Sequence, residues 1–535
     1  MSFWDAGLAS GKSPPIRETS QEILSLSQDA ASRLGIPDYV GRVMGINLLL
    51  AVTSAAGAMA LWRASTVPTG WLIGLGLLSA WQLYSAVAHR RAVPVILRLG
   101  GFSWTVEDFC RGWLITGETG SGKTLGGINT MLWQVCKNCP TWGGVCVDDK
   151  GLYAETLRVM LDRVGRKDDL VVLEVRPEGA PPSWAPPHTL NFVEDPYLPY
   201  SGKAKLVCDV AAALGQRSEQ SFFRTQAQLQ IEFAFRLLDA AGLPVTLETA
   251  YDLLTSDAQL KRITKMLVEQ DPPHPAREQL LDHYHSNLAA QPPEQLGGVK
   301  STVANYLKFF TEPDIANVFC AHTKSTVSMA DIDRGKIICV SIPQRFPVER
   351  RYIHTLLKLA FYSHALRRFD RPAQHRAKDN LVIFWAGEAQ KVVTASEDGL
   401  SDYNVVDVIR EARATFVGDT QAYTSLIPPM GDEKKTKVFI ANMANRITFK
   451  AADEDSARIA ADTIGKRTIR KRTYGYSGGN RTSSWTKDEK YYIEPHEFRR
   501  LRKFQAVVQH CEKGFHRVTL RPRDANGEVA SWYRN

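Results

Sequence analysis

Residues 111–124, with the sequence RGWLITGETGSGKT, decide the fold of this chain. The apolar residues 113–116 predict a short buried strand, and the run LGGINTMLWQVC after Thr124 is compatible with a helix. Between them lies GETGSGKT, which matches the pattern GxxxxGK[ST] at every position. This loop consists of Gly117, Glu118, Thr119, Gly120, Ser121, Gly122, Lys123 and Thr124. A strand, a glycine-rich loop and a helix in this order predict a phosphate-binding site in an α/β domain.

The residue types in this loop explain the expected chemistry. Glycines allow backbone N–H groups to turn inward around phosphate oxygens, and the next helix directs the positive end of its dipole at them. We expect the Lys123 ammonium to reach the β- and γ-phosphates and the Thr124 hydroxyl to ligate Mg²⁺. The predicted cofactors are therefore ATP and Mg²⁺.

Further apolar runs predict the rest of a parallel sheet. They are GGVCVDDKG (143–151), DLVVLEV (169–175), GKIICVSIP (335–343), LVIFWAGEAQ (381–390), ATFVGDTQ (414–421) and NRITFK (445–450). Ligands of open α/β sheets gather at the carboxyl ends of the strands. Asp148 lies at such an end and is a candidate site residue, although a solvated turn of charged residues explains it equally well.

Residues 200–320 have a different pattern, because apolar residues recur there at helical spacing with Gly or Pro between the runs. We therefore predict an all-α domain inserted into the nucleotide-binding domain. The predicted order is a cytoplasmic N-terminal segment (1–42), a two-helix transmembrane hairpin (43–88), the first part of the nucleotide-binding domain (93–199), the all-α insert (200–320), and the second part of the nucleotide-binding domain with a basic C-terminal region (321–535).

The membrane hairpin is predicted from two uncharged runs, 43–62 and 64–88, which Arg63 separates. A helix of roughly 20 residues spans a hydrocarbon core of ~30 Å. Arginines precede the first run and follow the second, so the positive-inside rule places both termini in the cytoplasm. A buried helical hairpin of a soluble protein is the alternative.

The composition describes a globular protein, since 44% of the residues are hydrophobic and 23% are charged. The net charge of +9 suits a polyanionic partner or an anionic membrane surface, and equally a basic surface that keeps the protein soluble. Cys136 and Cys139 form a CxxC, but no second pair follows at zinc spacing. We expect reduced thiols rather than a metal site.

Residues 465–492 combine many Lys and Arg residues with Tyr and Trp residues. Cations that contact phosphates and aromatic rings that stack on bases are what a nonspecific single-strand contact needs. The segment is therefore a candidate DNA contact, and a disordered basic loop is the alternative. Nothing in the chain resembles a base-reading module.

Three further segments carry a family resemblance. They are VCVDDKGLY (145–153), EAQ (388–390) with IREARATFVGDTQAYTSL (409–426), and IEPHEFRRLRKFQAVV (493–508). Together with the hairpin, the phosphate loop and the insert, they resemble the coupling ATPases of type IV secretion, the TraG/TraD-type conjugation proteins. These are related more distantly to FtsK/HerA-like DNA translocases. The resemblance implies a RecA-like P-loop NTPase fold, a homo-hexameric ring at the bacterial inner membrane, and transfer of single-stranded or relaxase-bound DNA to the secretion channel proteins.

The resemblance also implies roles for individual residues. Glu388 corresponds to the base that polarises the attacking water, and Gln421 to the glutamine that senses the γ-phosphate. Arg410 has the spacing of an arginine supplied to the ATP of the adjacent subunit, although a solvated helix arginine is the alternative. Lys123 and Thr124 take the phosphate and magnesium roles. Asp149, with the lysine and glycine that follow it, matches the family's DPKG segment, and Asp148 is then an extra residue.

Gly387 departs from the family pattern, which has an aspartate that acts on Mg²⁺ mainly through bound water. Because Glu388 acts on the nucleophile and is present, we predict an active ATPase whose turnover is reduced by this glycine. Asp149 is a candidate for the missing charge. An aspartate introduced at position 387 is expected to leave turnover unchanged or to raise it.

The sequence thus predicts a membrane-anchored ATPase that couples ATP hydrolysis to DNA or relaxase–DNA transfer in conjugation. The first alternative is a coupling receptor that recruits protein effectors. The second is a membrane scaffold with a degenerate, non-hydrolysing nucleotide site at Gly387.

Overall fold

The computed structural model describes residues 94–533, except 152, 215–220, 289–290, 321–323, 377, 398 and 478–479. The predicted hairpin at 43–88 and the segment before it lie outside these residues. Within the described ranges, none of the helices combines the length and the apolar character needed to cross a membrane. The chain divides into two units, and the second, Leu97–Lys137 with Thr141–Asn535, contains the large sheet and the glycine-rich loop.

Strands account for both the central sheet and two small ribbons. They are β1 (Val95–Leu99), β2 (Phe102–Thr105), β3 (Trp113–Thr116), β4 (Gly143–Asp148), β5 (Leu170–Glu174), β6 (Ile337–Ser341), β7 (Val382–Gly387), β8 (Ala414–Thr420), β9 (Asn445–Thr448), β10 (Lys466–Ser477), β11 (Asn480–Tyr491), β12 (Gln505–His510) and β13 (Gly514–Thr519).

The central sheet has nine strands in the order β13-β12-β9-β3-β8-β7-β4-β6-β5. The strands from β9 to β5 are parallel, and β12 and β13 continue the sheet antiparallel at one edge. Every residue of β3, β4, β7 and β8 is buried, as expected for parallel strands covered on both faces. The carboxyl ends of these four adjacent strands lie along one edge.

Helices cover the sheet and form the insert. They are α1 (Val106–Phe109), α2 (Asn129–Asn138), α3 (Tyr153–Arg163), α4 (Tyr200–Ala213), α5 (Ser221–Ala240), α6 (Leu247–Thr255), α7 (Asp257–Glu269), α8 (Arg277–His283), α9 (Pro293–Leu307), α10 (Pro313–Phe319), α11 (Pro347–Arg367), α12 (Ala373–Arg376), α13 (Asp402–Val405), α14 (Ile427–Met430), α15 (Glu433–Asn442), α16 (Glu454–Ile464) and α17 (Pro495–Arg499).

The segment between β5 and β6 contains helices α4 to α10 and, among its described residues, no strand. Amphipathic helices such as α7 bury one apolar stripe, here Leu260, Ile263 and Leu267. These residues belong to the same hydrophobic core as β4 and β6, so the insert is packed onto the sheet. The exact domain boundaries stay a prediction.

The basic segment 465–492 is a β-hairpin in the structure. Strands β10 and β11 pair antiparallel from Lys466 opposite Tyr491 to Ser477 opposite Asn480. The backbone forms an ordered ribbon, which differs from the alternative of a disordered loop. Its described side chains are mostly exposed, and the DNA contact stays a prediction.

Candidate nucleotide-binding site

The glycine-rich loop follows β3 and leads into a π-helical turn, Lys123–Ile128, that continues as α2. Gly122 has a φ of 104°, a left-handed conformation that favours glycine. A Cβ there would also lie 2.4 Å from the Phe504 ring, so this position has no room for a side chain. The Ser121 hydroxyl donates a hydrogen bond of 2.7 Å to the Glu118 carbonyl, which closes the loop on itself.

The Lys123 ammonium lies inside the loop. Its Nζ donates hydrogen bonds to the carbonyl oxygens of Gly117 at 2.5 Å and Glu118 at 3.3 Å. Burial lowers the pKa of Lys123, whereas the nearby carboxylates of Asp419 and Glu388 raise it. The loop therefore holds a buried cation where a phosphate-binding loop needs one.

Polar side chains from four strand ends line the same cleft of about 590 Å³. The loop contributes Lys123 and Thr124 from the end of β3, and Gln421 lies directly after β8. Asp148 ends β4, and Glu388 follows β7. The structure thus brings together the predicted phosphate, magnesium, base and sensor residues. Their individual roles stay predictions.

Gln421 is also close to the loop itself, because its Oε1 is 3.5 Å from the Thr119 hydroxyl. A contact between the phosphate loop and the residue after β8 is possible because β3 and β8 are neighbours in the sheet. This position fits a side chain that detects the terminal phosphate.

Glu388 has a φ of 58°, the left-handed region that non-glycine residues rarely adopt. Its backbone N–H lies 3.4 Å from the Asp419 carboxylate. Its own carboxylate accepts a hydrogen bond from the Gln390 amide and lies 4.0 Å from the Lys150 ammonium. Such backbone strain concentrates at functional sites, where the surrounding structure holds a side chain in a fixed direction.

Asp419, within β8, is a site residue that the sequence reasoning missed. Its carboxylate is 3.4 Å from the Tyr153 hydroxyl, which donates to it. Burial raises the pKa of Asp419 to about 7, and the Glu388 carboxylate adds to this rise while Lys123 opposes it. The one signal in the sequence is a carboxylate two residues before Gln421, in a strand that has no other charged residue.

Replacement of Asp419 by Asn is expected to stabilise the protein at pH 8 and not at pH 4. The unfolded carboxyl releases its proton near its ordinary pKa of 3.8 and the folded one near 7, so stability decreases as pH rises between these values. Asparagine is always neutral, so the variant does not lose this stability as pH rises. Its free energy of unfolding is expected to exceed that of the wild type by ~2–4 kcal/mol above pH 7. Thermal unfolding as a function of pH measures it. The exposed Asp455→Asn is the control, and equal pH profiles for wild type and Asp419→Asn would contradict the prediction.

Asp148 lies beside Gly387. The two residues are in register on the adjacent strands β4 and β7, and a Cβ at position 387 would be 2.7 Å from Asp148 Oδ1. An aspartate introduced at 387 alone would therefore have to displace the Asp148 side chain, and its effect on turnover stays a prediction. Asp149 is not among the residues that line the cleft, and its carboxylate pairs with Arg350 at 3.0 Å.

Arg410 is not brought into the cleft of its own chain. It is exposed and lies in the turn Ile409–Ala412, just before the amino end of β8. The nucleotide cleft is at the carboxyl end of the same strand. A role toward the ATP of an adjacent subunit stays a prediction.

The C-terminal part of the chain covers the loop, which no sequence signal indicated. The Phe504 N–H donates to the Ser121 carbonyl at 2.9 Å, and the Arg523 N–H donates to the Leu125 carbonyl at 2.8 Å. The Phe504 ring is 5.8 Å from that of Trp532. One wall of the cleft is therefore built from residues far along the chain.

A parallel sheet with a glycine-rich loop after β3, and with a lysine, a threonine and carboxylates at adjacent strand ends, defines a P-loop NTPase. Residues 402–503 match the family model described as the TraM recognition site of TraD and TraG. No curated protein matches the sequence.

Solved structures match the described fold over most of its length. The bacterial conjugative coupling protein TrwBdeltaN70, unbound, has a TM-score of 0.57 at 14% identity over 83% of this chain and 91% of that chain. The plasmid coupling protein TrwB with ADP and Mg²⁺ has a TM-score of 0.55 at 13% identity over 81% and 90%. At such identities the matches show the fold, which confirms the predicted RecA-like α/β domain. With the family match, they confirm the resemblance to TraG/TraD-type coupling proteins.

Proposed function

We propose that this protein is an ATPase that couples ATP hydrolysis to the transfer of DNA, or of relaxase-bound DNA, through a type IV secretion system. The observation that carries the proposal is the joint position of Lys123, Glu388 and Gln421 in one cleft, in a fold shared with a conjugative coupling protein. The match to the TraM recognition site of TraD and TraG supports a partner in the relaxosome.

The residues of the cleft fit a nucleotide and Mg²⁺. Lys123 supplies the cation for the β- and γ-phosphates, and the Thr124 hydroxyl is an oxygen ligand of the kind that Mg²⁺ prefers. A carboxylate oxygen of Asp148 lies where a side chain at Gly387 would be. This oxygen and the Thr124 hydroxyl are donors of the kind that suits a hard cation. When bound, Mg²⁺ neutralises charge on the phosphates. Glu388 orients the water and accepts its proton.

We propose a homo-hexameric ring. Arg410 is exposed at the amino edge of the sheet and lies away from its own cleft. An arginine that acts on ATP from that position acts on a neighbouring subunit, as arginine fingers do in other P-loop NTPases. The uncharged runs 43–62 and 64–88 support a two-pass anchor in the bacterial inner membrane, with both termini in the cytoplasm.

The β10–β11 hairpin is the proposed DNA contact. Strand β10 carries Lys466, Arg467, Arg470, Lys471 and Arg472 and no acidic residue. The Arg472 guanidinium lies over the rings of Tyr474, at 5.1 Å, and Trp485, at 5.4 Å. Both rings are exposed, Trp485 by 64%. Cations interleaved with exposed aromatic rings suit a single strand without sequence preference.

Binding to single-stranded DNA is expected to weaken steeply with salt, because each phosphate contact releases a counterion. Neutralising Arg470, Lys471 and Arg472 together to Gln is expected to reduce the slope of log K against log[salt] by about 2, at ~0.7 per contact. Fluorescence anisotropy over a salt series measures this. The same change at the exposed Lys261, Arg262 and Lys265 of helix α7 is the control. An affinity that does not respond to salt would favour a receptor for protein effectors.

ATP turnover by the purified protein, with and without single-stranded DNA, tests the proposed function directly. A motor is expected to hydrolyse ATP and to be stimulated by DNA. Turnover without DNA stimulation would favour the effector receptor, and absence of turnover would favour the non-hydrolysing scaffold.

A further inference from the structure

The missing carboxylate at position 387 has a structural counterpart on the neighbouring strand. In the sheet β4 lies beside β7, and Asp148 is the in-register partner of Gly387. Adjacent strands are only ~4.8 Å apart, and paired residues of parallel strands direct their side chains to the same face. The side chain at 148 therefore extends on the side where a side chain at 387 would lie.

The Asp148 carboxylate occupies that space. A Cβ built on Gly387 would be 2.7 Å from Oδ1, 3.3 Å from Cγ and 3.4 Å from Cβ of Asp148. Since the first distance is shorter than van der Waals contact, the two positions cannot both carry a side chain without displacement. Glycine at 387 is the residue that leaves room for the Asp148 carboxylate.

We propose that Asp148 supplies the Mg²⁺-directed carboxylate that the family resemblance leads us to expect at position 387, an inference that rests on the proposed nucleotide site. Asp148 is buried, with 8% of its surface exposed, and lines the same cleft as Lys123 and Thr124. Asp148 lies one strand across the sheet from Gly387 and lines the same cleft. Asp148 is then a positioning residue for the metal, and the site is not degenerate.

The other carboxylates nearby have different partners. Asp149 is engaged by Arg350, whose guanidinium nitrogens lie 3.0 and 3.2 Å from its Oδ1. Asp419 faces the Glu388 N–H and the Tyr153 hydroxyl, each at 3.4 Å. Glu388 is directed to the nucleophile in the proposed mechanism. The assignment of Asp148 to the metal rests on its register with Gly387 and on its place in the lining of the cleft.

The proposal implies that the metal-directed carboxylate can be carried either at position 148 or at position 387. Exchanging the residues at these two positions tests this. The variants are Asp148→Asn, Gly387→Asp, and the double variant Asp148→Gly with Gly387→Asp. The full-length protein is mixed with a non-hydrolysable ATP analogue, and Mn²⁺ affinity is measured by electron paramagnetic resonance. Fluorescent ATP binding in EDTA reports whether each variant keeps a folded nucleotide site without metal. Asp149→Asn, the same change one residue further on, is the matched control.

Asp148→Asn is expected to lose ~10–100-fold in Mn²⁺ affinity, the usual effect of removing a carboxylate that orients a metal site. Its nucleotide affinity in EDTA is expected to be unchanged, and the Asp149→Asn control is expected to bind Mn²⁺ as wild type does. Gly387→Asp alone is expected to weaken Mn²⁺ binding through its collision with Asp148. The double variant, which carries one carboxylate again, is expected to recover most of the wild-type affinity.

Wild-type Mn²⁺ affinity in Asp148→Asn would overturn the inference, and so would tighter Mn²⁺ binding in Gly387→Asp with Asp148 still present. These results leave the proposed function intact, because nucleotide binding is measured separately. A wild-type protein that binds no nucleotide, with or without metal, would instead overturn the proposed function and this inference with it.

Discussion

Replacement of Lys123 by Ala is expected to abolish ATP turnover and with it DNA transfer. The Lys123 ammonium is the cation inside the phosphate loop, held by the carbonyl oxygens of Gly117 and Glu118. Two further lysines line the cleft, Lys150 near Glu388 and Lys503 beside the Phe504 ring. Both are exposed, so neither replaces a buried charge inside the loop. Loss of one preorganised charge in a buried site typically costs ~10²–10³-fold in rate, and weaker nucleotide binding adds to this loss.

Fluorescent ATP binding and phosphate release measure the Lys123→Ala effect, and a mating assay measures transfer. The exposed Lys437→Ala on helix α15 has the same charge change outside the cleft and is expected to behave as wild type. Normal transfer by Lys123→Ala would mean that ATP bound at this loop does not drive export.

Glu388→Gln is expected to reduce turnover by ~10²–10⁴-fold, the typical contribution of a general base, while ATP stays bound. Glutamine keeps the shape of the side chain, so the strained backbone at φ 58° and the position beside Lys150 are retained. The amide cannot accept a proton from water as the carboxylate does. Slow hydrolysis with undiminished ATP affinity is the specific signature.

Single-turnover hydrolysis and equilibrium ATP binding separate the two effects of Glu388→Gln. Glu411→Gln, an exposed residue in the turn before β8, is the control. Undiminished turnover in Glu388→Gln would exclude Glu388 as the base. A wild type that does not hydrolyse ATP even with DNA would favour the scaffold interpretation over the motor.

Local patterns were sufficient to predict the phosphate loop and the strand that delivers Glu388. Both depend on short stretches in which strand, turn and polar residue follow one another, so the relevant geometry is set within a few residues. The seven parallel strands of the central sheet could be predicted for the same reason, since most of them are nearly continuous apolar runs. The antiparallel strands β12 and β13 at its edge were not predicted.

Pairing between distant strands could not be predicted. Asp148 and Asp149 are adjacent acidic residues, and successive side chains of a strand point to opposite faces. Which of the two faces the cleft depends on where β4 ends and on its register with β7, which the sequence does not encode locally. Asp419 was missed because its environment comes from Tyr153 and Glu388, on other elements.

The place of β3 in the sheet has a consequence for synthesis of the chain. Its two neighbours, β8 and β9, are both translated much later than the apolar segment Trp113–Thr116. A nascent chain therefore carries an unpaired hydrophobic strand and an unformed phosphate loop while the whole insert leaves the ribosome. Exposed strands of this kind are prone to aggregation. We expect ribosome-associated chaperones to engage the nascent protein over this interval, and nucleotide binding to begin only when translation is nearly complete.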